Sequence, residues 1–220
     1  MSQKGIPYAR YSYLYPPRPE HAVPIEHIGT YEELGYVAQP KLDGSSCLVF
    51  TDGAKSIAMS RHATPFATEP SLLTDGTFRA LHRGVPGKWT VLVGELMNKS
   101  KKDERGRAFS GYVVHDVLVA DGVHLVGTTF AERIALLDSM YGTAGSTQSG
   151  LYGTGHEGVY RVRTYPGDLA AEFRRLTASA PMYEGIVAKD PTGRLEHGMR
   201  QKNTRSGQVK VRRTEKNYAY

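Results

Sequence analysis

The chain has 220 residues, a formal net charge of +6 and a pI near 9.3. Its hydrophobic fraction of 40% is ordinary for a globular protein, and no apolar run approaches the ~18 residues of a membrane-spanning helix. A single cysteine, Cys47, excludes an internal disulfide and a cysteine-rich zinc site. We therefore expect a cytoplasmic protein with no membrane partner, whose positive charge suits a polyanion.

The first 29 residues are rich in tyrosine and proline. Because proline interrupts regular structure, we predict an extended N-terminal arm (1–29) that packs on a following domain (30–220). Tyrosines beside Arg10 and Arg18 could stack on nucleic acid, but packing in the core is the more ordinary use of such side chains. Thr30 and Glu33 have the spacing of a helix cap.

Strand-like sequence follows the arm. We predict strands around 36–41 and 46–51, and the turn signal Asp52-Gly53 leads into a third strand at 56–59. Two more apolar strands are predicted at 90–97 and 111–119.

The charged stretch 98–107, between the last two of these strands, is predicted to be an exposed loop. Two helices follow, one behind a capping box at Thr129 and Glu132 and one capped by Asp168. Strands outnumber helices and are joined by hairpin-type turns. The sequence therefore predicts an α+β fold of mostly antiparallel sheets flanked by helices.

A lysine in the sequence Lys41-Leu42-Asp43-Gly44 lies between two of the predicted strands. Lys-x-Asp-Gly occurs by chance in many chains, usually as a solvated turn. Between two strands, however, the amine lies near the sheet and can lose its water. Desolvation lowers a lysine pKa from its usual value of about 10.4 and produces a nucleophilic amine.

Three downstream segments follow this lysine in a fixed order: Gly94-Glu95-Leu96, Glu184-Gly185-Ile186-Val187-Ala188-Lys189 and Val209-Lys210-Val211-Arg212. Together the four segments resemble the motifs of ATP-dependent polynucleotide ligases and their relatives, the RNA ligases and mRNA capping enzymes. The resemblance extends from about Gly35 to Arg213. It implies a nucleotidyltransferase (ATP-grasp-like) domain that uses ATP and Mg²⁺. In this family the lysine forms a lysyl-AMP, AMP passes to a 5′-phosphate, and a 3′-hydroxyl displaces it to seal the strand.

The resemblance assigns roles to residues at matching positions. Glu95 is expected to face the ribose and the metal, and Glu184 the metal, whereas a structural salt bridge is the alternative for each. Lys189, Lys210 and Arg212 match positions that contact the α-phosphate or pyrophosphate. Arg212 replaces a lysine, which keeps the charge but not the geometry.

Three more positions line the expected nucleotide site. Arg61 matches an arginine that holds the nucleotide or the 5′-phosphate of the nick. Gln39 stands where relatives read the adenine amino group, although an edge-strand glutamine is an equal alternative. His115 stands where the family usually has an aromatic residue on the adenine, and a core histidine is an equal alternative.

The choice of nucleic acid depends on finer resemblances. The sequence from Val113 to Leu137 is similar to bacterial and viral DNA ligases, whereas Ser45-Ser46 is similar to RNA ligases. We expect a monomer that seals nicked DNA. An RNA ligase, a non-catalytic nucleic-acid-binding domain and a capping guanylyltransferase are the alternatives.

Ligases of this family continue into an oligonucleotide-binding (OB) barrel, whereas eight residues follow Arg212 here. We therefore expect the nucleotidyltransferase domain alone, with no C-terminal OB domain. Weaker self-adenylylation, or dependence on a partner chain that supplies the clamp, is the corresponding expectation.

Overall fold

A computed structural model describes residues 18–19, 21–60, 62, 64–66, 72–146, 148–196 and 207–213. A 3-10 turn at Ile25–His27 leads into the first α-helix. In chain order the helices and strands of this described part are α1 (Ile28–Glu33), β1 (Val37–Leu42), β2 (Ser45–Thr51), β3 (Ser56–Ser60), α2 (Asp75–Leu81), β4 (Thr90–Lys102), β5 (Ala108–Ala120), β6 (Val123–His124), α3 (Phe130–Tyr141), β7 (Leu151–Gly153), β8 (Val159–Val162), α4 (Leu169–Ser179), β9 (Tyr183–Lys189) and β10 (Gln208–Arg212).

A small antiparallel sheet has the strand order β1–β9–β10. Lys41 of β1 lies opposite Gly185 of β9, which in turn lies opposite Arg212 of β10. One face of this sheet is apolar and packs against α4 in a shared core that includes Ile186 and Leu176. The other face is polar and is free to line a site.

A larger sheet has the order β3–β2–β4–β5–β8–β7, with β6 added on β5. Its pairs are antiparallel except β5 with β8, which is parallel. Apolar side chains alternate along β2, so that Cys47 and Val49 enter one core and Leu48 and Phe50 enter another. The predicted α+β class with mostly antiparallel sheets is confirmed.

The predicted helices at Thr129 and Asp168 are also confirmed. Thr129 accepts a hydrogen bond from the Glu132 amide while the Glu132 carboxylate accepts one from the Thr129 amide. Asp168 accepts from the Ala171 amide at 2.7 Å. The helix cap predicted at Thr30 is wrong, because α1 begins two residues earlier and Thr30 lies inside it.

The exposed loop predicted at 98–107 is wrong as well. β4 continues to Lys102 and β5 begins at Ala108, so the strands form a long hairpin whose turn is 103–107. The sequence does not predict these longer strands, because a solvated hairpin of charged residues lacks the apolar alternation of a half-buried strand. Helix α2 was not predicted, since Asp75-Gly76 has the composition of a turn. Thr74 caps it by accepting from the Thr77 amide at 3.2 Å.

The described part of the N-terminal arm lies beside β10. The Lys210 amide donates to the His21 carbonyl at 3.1 Å, and the Val23 amide donates to the Lys210 carbonyl at 2.9 Å. Residues 1–17 and 20 lie outside the described part, so the arm as a unit stays a prediction. Among the described helices, none has the length and apolar character needed to cross a membrane.

Candidate active site

A cavity of about 830 Å³ opens between the polar face of the small sheet and one end of the larger sheet. Its volume lies within the range of about 300–1,000 Å³ that is usual for ligand sites. Arg61 lies outside the described residues. All the other predicted site residues line this cavity: Gln39, Lys41, Glu95, His115, Glu184, Lys189, Lys210 and Arg212.

Strand alternation explains how the small sheet presents these side chains. On β10, Lys210 and Arg212 face the cavity while Val209 and Val211 are buried in the core. On β1, Lys41 faces the cavity and Ala38 lies in the core. The period-two pattern of the sequence therefore becomes one basic face and one apolar face.

Glu184 reaches the cavity through an irregularity in the pairing. Lys41 pairs with Gly185, but the next residue of β1, Leu42, pairs with Tyr183. Glu184 is thus the extra residue of a bulge, which changes the direction of a side chain in a strand. The bulge places the Glu184 carboxylate in an ion pair with the Lys41 ammonium and 3.8 Å from Arg212 Nε.

The electrostatic environment of Lys41 favours loss of its proton. Its side chain is 20% exposed. Burial lowers the pKa of Lys41 to about 8, the charges of Arg212 and Lys210 act in the same direction, and Glu95 opposes them. At pH 7 roughly one such amine in ten is neutral, against about one in a few thousand for a free lysine. The ion pair with Glu184 favours the protonated form, so the carboxylate has to be engaged elsewhere before the amine attacks.

Asp43 and Gly44 of the Lys-x-Asp-Gly segment attach it to neighbouring strands. Asp43 Oδ2 forms an ion pair with Lys101 Nζ at 2.6 Å, and the Asp43 amide donates a hydrogen bond to the Met182 carbonyl at 3.1 Å. A β-carbon on Gly44 would come within 2.7 Å of the Leu96 carbonyl oxygen. Glycine is therefore required where this segment crosses β4, and the lysine strand is fixed against the larger sheet.

Lys189 is buried in a second charged cluster. Its Nζ lies 4.6 Å from the centre of the Phe130 ring, and burial lowers its pKa to about 8 although Asp116 acts in the opposite direction. Asp116 itself accepts from Arg133, at 2.8 Å from Nε and 3.2 Å from Nη2. The sequence does not single out Arg133, because this residue occupies the core side of an otherwise apolar helix stripe. Its spacing of three residues from Phe130 was the available signal.

Two polar side chains in the cavity wall have atoms without partners. Gln39 Nε2 donates to Thr164 Oγ1 at 3.1 Å, but its Oε1 is buried and accepts no hydrogen bond from the described residues. His115 Nδ1 is also buried and has no hydrogen-bond partner among the described residues. Burial lowers the pKa of this imidazole to about 3. Buried polar atoms are rarely left unsatisfied, so both atoms are candidates for ligand contacts.

The N-terminal arm also contributes to the wall, through Arg18 and Pro19. Lys210 Nζ donates to the Pro19 carbonyl at 3.2 Å. No sequence pattern reveals this contact, because it joins the two ends of the described chain.

The fold of this chain is similar to that of solved DNA ligase structures. The structure is similar to the ligase domain of LigD from M. tuberculosis, with a TM-score of 0.65 and 21% identity over 92% of this chain and 60% of that one. A mycobacterial DNA ligase D complexed with ATP matches with a TM-score of 0.59 and 22% identity, over 82% of this chain and 55% of that one. The chain has the fold of a ligase nucleotidyltransferase domain.

The Chlorella virus DNA ligase-adenylate has the same nucleotidyltransferase fold, with a TM-score of 0.53 and 16% identity over 89% of this chain and 67% of that one. By sequence, neither a protein-family model nor a curated protein matches this chain. The chain spans a little over half of the length of the two mycobacterial structures.

Proposed function

We propose that this chain is the nucleotidyltransferase domain of an ATP-dependent DNA ligase that seals nicks through a lysyl-AMP intermediate. The observation that carries the proposal is Lys41, a largely buried lysine with a pKa lowered to about 8, in a cavity lined by three carboxylates and four further cations. Neutral Lys41 Nζ attacks the α-phosphorus of ATP, a phosphoramidate bond forms, and pyrophosphate leaves. Such phosphoryl transfer depends mainly on alignment and on neutralising charge.

The remaining residues supply alignment and charge. Lys189, Lys210 and Arg212 are cations on the same cavity wall as Lys41 and would hold the phosphates. The unpaired Gln39 Oε1 is an acceptor that suits the amino group of adenine, which supports ATP over GTP and argues against a capping guanylyltransferase. His115, neutral because of its lowered pKa, would lie against the base.

Glu95 and Glu184 fit the expected Mg²⁺, although the described residues contain no group of three or more acidic, histidine or cysteine ligands. Mg²⁺ is usually held in nucleotide sites by one or two carboxylates together with substrate phosphates, and both glutamates line the cavity. When bound, the ion would neutralise charge on the transferring phosphate. Engagement of Glu184 by a cation would also release Lys41 from its ion pair.

The proposal is tested by incubation with α-phosphate-labelled ATP and Mg²⁺, followed by a denaturing gel. We expect covalent label on the wild type, none on Lys41→Ala, and undiminished label on Lys55→Ala, which replaces an exposed lysine. Excess unlabelled ATP should compete with the label and GTP should not. A folded wild type that takes no label would contradict the proposal and favour a non-catalytic nucleic-acid-binding domain.

An RNA ligase is the second candidate, supported by Ser46, which lines the cavity and belongs to the Ser45-Ser46 pair that resembles RNA ligases. The adenylylated protein should be offered matched nicked duplexes that differ only in having DNA or RNA at the 3′-hydroxyl strand. Faster sealing of the DNA nick is the expected result. Faster sealing of the RNA nick would replace the first candidate with the second.

A further inference from the structure

The hairpin formed by the ends of β4 and β5 carries a dense set of cations beside the candidate active site. We name residues 98–107 the basic hairpin. Its cations are Lys99, Lys101, Lys102, Arg105 and Arg107. The side chains of Lys101 and Arg107 are 35% and 64% exposed, and the other three residues are also exposed.

The two acidic residues of the basic hairpin pair with Arg107 or with the body of the protein, and among the described residues they form no ion pair with Lys99, Lys102 or Arg105. Asp103 is only 4% exposed and accepts from Gln148 Nε2 and from Arg107 Nη2, each at 3.2 Å. Glu104 turns toward the protein, where its Oε1 accepts from the Ser149 amide at 2.6 Å and from the Tyr183 hydroxyl at 3.0 Å. The acids thus fix the tip of the hairpin to the domain, and the cations remain at the surface.

The basic hairpin is joined directly to the segment that carries Lys41. Lys101 forms its 2.6 Å ion pair with Asp43. Met182 connects the same two elements, since its amide donates to the Lys102 carbonyl at 3.2 Å and its carbonyl accepts from the Asp43 amide at 3.1 Å. These contacts hold the hairpin against Asp43, which follows the proposed nucleophile Lys41 by two residues in the chain.

We propose that the basic hairpin binds the phosphate backbone of the polynucleotide and holds it against the adenylylated Lys41. The partner is a nicked duplex, whose regularly spaced phosphates suit a row of exposed cations. This inference rests on the proposed function, and it assigns part of the nucleic-acid contact to a preformed element of the nucleotidyltransferase domain. Lys99, Lys102 and Arg105 are the natural contacts, because within the described residues their side chains form no ion pair.

The test compares two triple variants of the full chain. One removes charge from the basic hairpin (Lys99→Gln, Lys102→Gln, Arg105→Gln). The matched control removes the same number of charges from exposed positions outside the cavity wall (Lys55→Gln, Arg79→Gln, Arg174→Gln). Self-adenylylation, which needs no polynucleotide, is measured for each, together with the affinity for a nicked DNA duplex over a series of salt concentrations.

We expect the hairpin triple to label with ATP at the wild-type rate but to bind the nicked duplex about ten-fold or more weakly near 0.1 M salt. The slope of log K against log salt should fall by roughly one to three, since each lost phosphate contact removes about 0.9. Wild-type affinity and slope in the hairpin triple, or an equal loss in the control triple, would overturn the inference.

Failure of the proposed function is recognised separately, as a wild type that takes no label. If the hairpin triple fails to label, the single variants Lys102→Gln and Arg105→Gln are measured in the same way. Each should reduce the salt slope by about one. Unchanged slopes in both single variants would overturn the inference.

Discussion

Gly185 lies so close to Val211 that a β-carbon at position 185 would collide with the Val211 carbonyl oxygen. This approach couples three features of the site. It allows β10 to pair with β9, it occurs at the bulge that directs Glu184 into the cavity, and it places Arg212 beside Lys41. A glycine in this motif is therefore a requirement of packing, independent of any contact with substrate.

Gly185→Ala is predicted to separate β10 from β9. Relief of the clash requires backbone movement, because the obstructing atom belongs to the main chain. We expect a loss of about 1–3 kcal/mol in unfolding free energy, as is usual for overpacking, together with loss of self-adenylylation. Denaturant unfolding and the label assay measure the two effects.

Gly29→Ala is the control for this change, because nothing lies within 4 Å of its added β-carbon and Gly29 is in α1. It should leave stability equal or raise it by up to about 1 kcal/mol. Equal unfolding free energies and equal labelling in the two variants would show that the close contact of Gly185 with Val211 contributes to neither stability nor activity.

The pH dependence of self-adenylylation should report the pKa of Lys41. A lysine reacts as its neutral form, so the rate should rise with pH, reach half of its maximum near pH 8 and level off above it. Stopped or quenched single-turnover labelling from pH 6 to 10 gives this profile. A rate that is flat across this range would mean that deprotonation of Lys41 does not limit the reaction.

Two variants should move this midpoint in opposite directions. The Arg212 charge lowers the Lys41 pKa, so Arg212→Gln should shift the midpoint to higher pH. The Glu184 carboxylate pairs with the ammonium, so Glu184→Gln should shift it to lower pH. We expect shifts of roughly half a unit to one unit, whatever happens to the maximal rate. Shifts of the same sign in the two variants would contradict the electrostatic account. The control Arg174→Gln should leave the midpoint unchanged.

Lys189 should make stability depend on pH. Its folded pKa of about 8 lies below the unfolded value of 10.5, so between these values the unfolded state binds more protons and stability rises with pH. Burial of the charge should therefore destabilise the wild type relative to Lys189→Met by up to about 3 kcal/mol below pH 8. The difference should shrink as the pH approaches 10.5. Urea unfolding at pH 7 and pH 10 measures it, and a difference that grows with pH would refute the assignment.

The buried pair of Asp116 and Arg133 should be strongly coupled. Both side chains are 3% exposed, so removal of Arg133 leaves the buried Asp116 carboxylate without its hydrogen-bonded cation. We expect Arg133→Met alone to cost about 3–5 kcal/mol in unfolding free energy. Arg133→Met combined with Asp116→Leu should cost less than Arg133→Met alone, and a double-mutant cycle would show this. Additive costs would mean that the two charges do not interact.

The sequence predicts much of the fold because the strands alternate and the helices carry side-chain caps. It also predicts eight of the residues that line the cavity, since the four segments share an order that resembles a known family. It does not predict the bulge at Glu184, which depends on the fit of β1 against β9, or the burial of Arg133, whose partner is remote in the chain. It also does not predict the strands of the basic hairpin, because their solvated ends lack apolar alternation. These features arise from tertiary contacts that local periodicity does not encode.

The order of the strands has a consequence for the synthesis of the protein. Lys41 on β1 has its partners Glu184 and Arg212 on β9 and β10, the last described strands of the chain. A ribosome therefore exposes the nucleophile long before its neighbours, and contacts so distant in sequence form slowly. The amine keeps an ordinary affinity for its proton until the sheet buries it and β10 brings Lys210 and Arg212 beside it. An incomplete nascent chain would thus remain unreactive toward nucleotides, and reactivity would appear only as the last strands join the sheet.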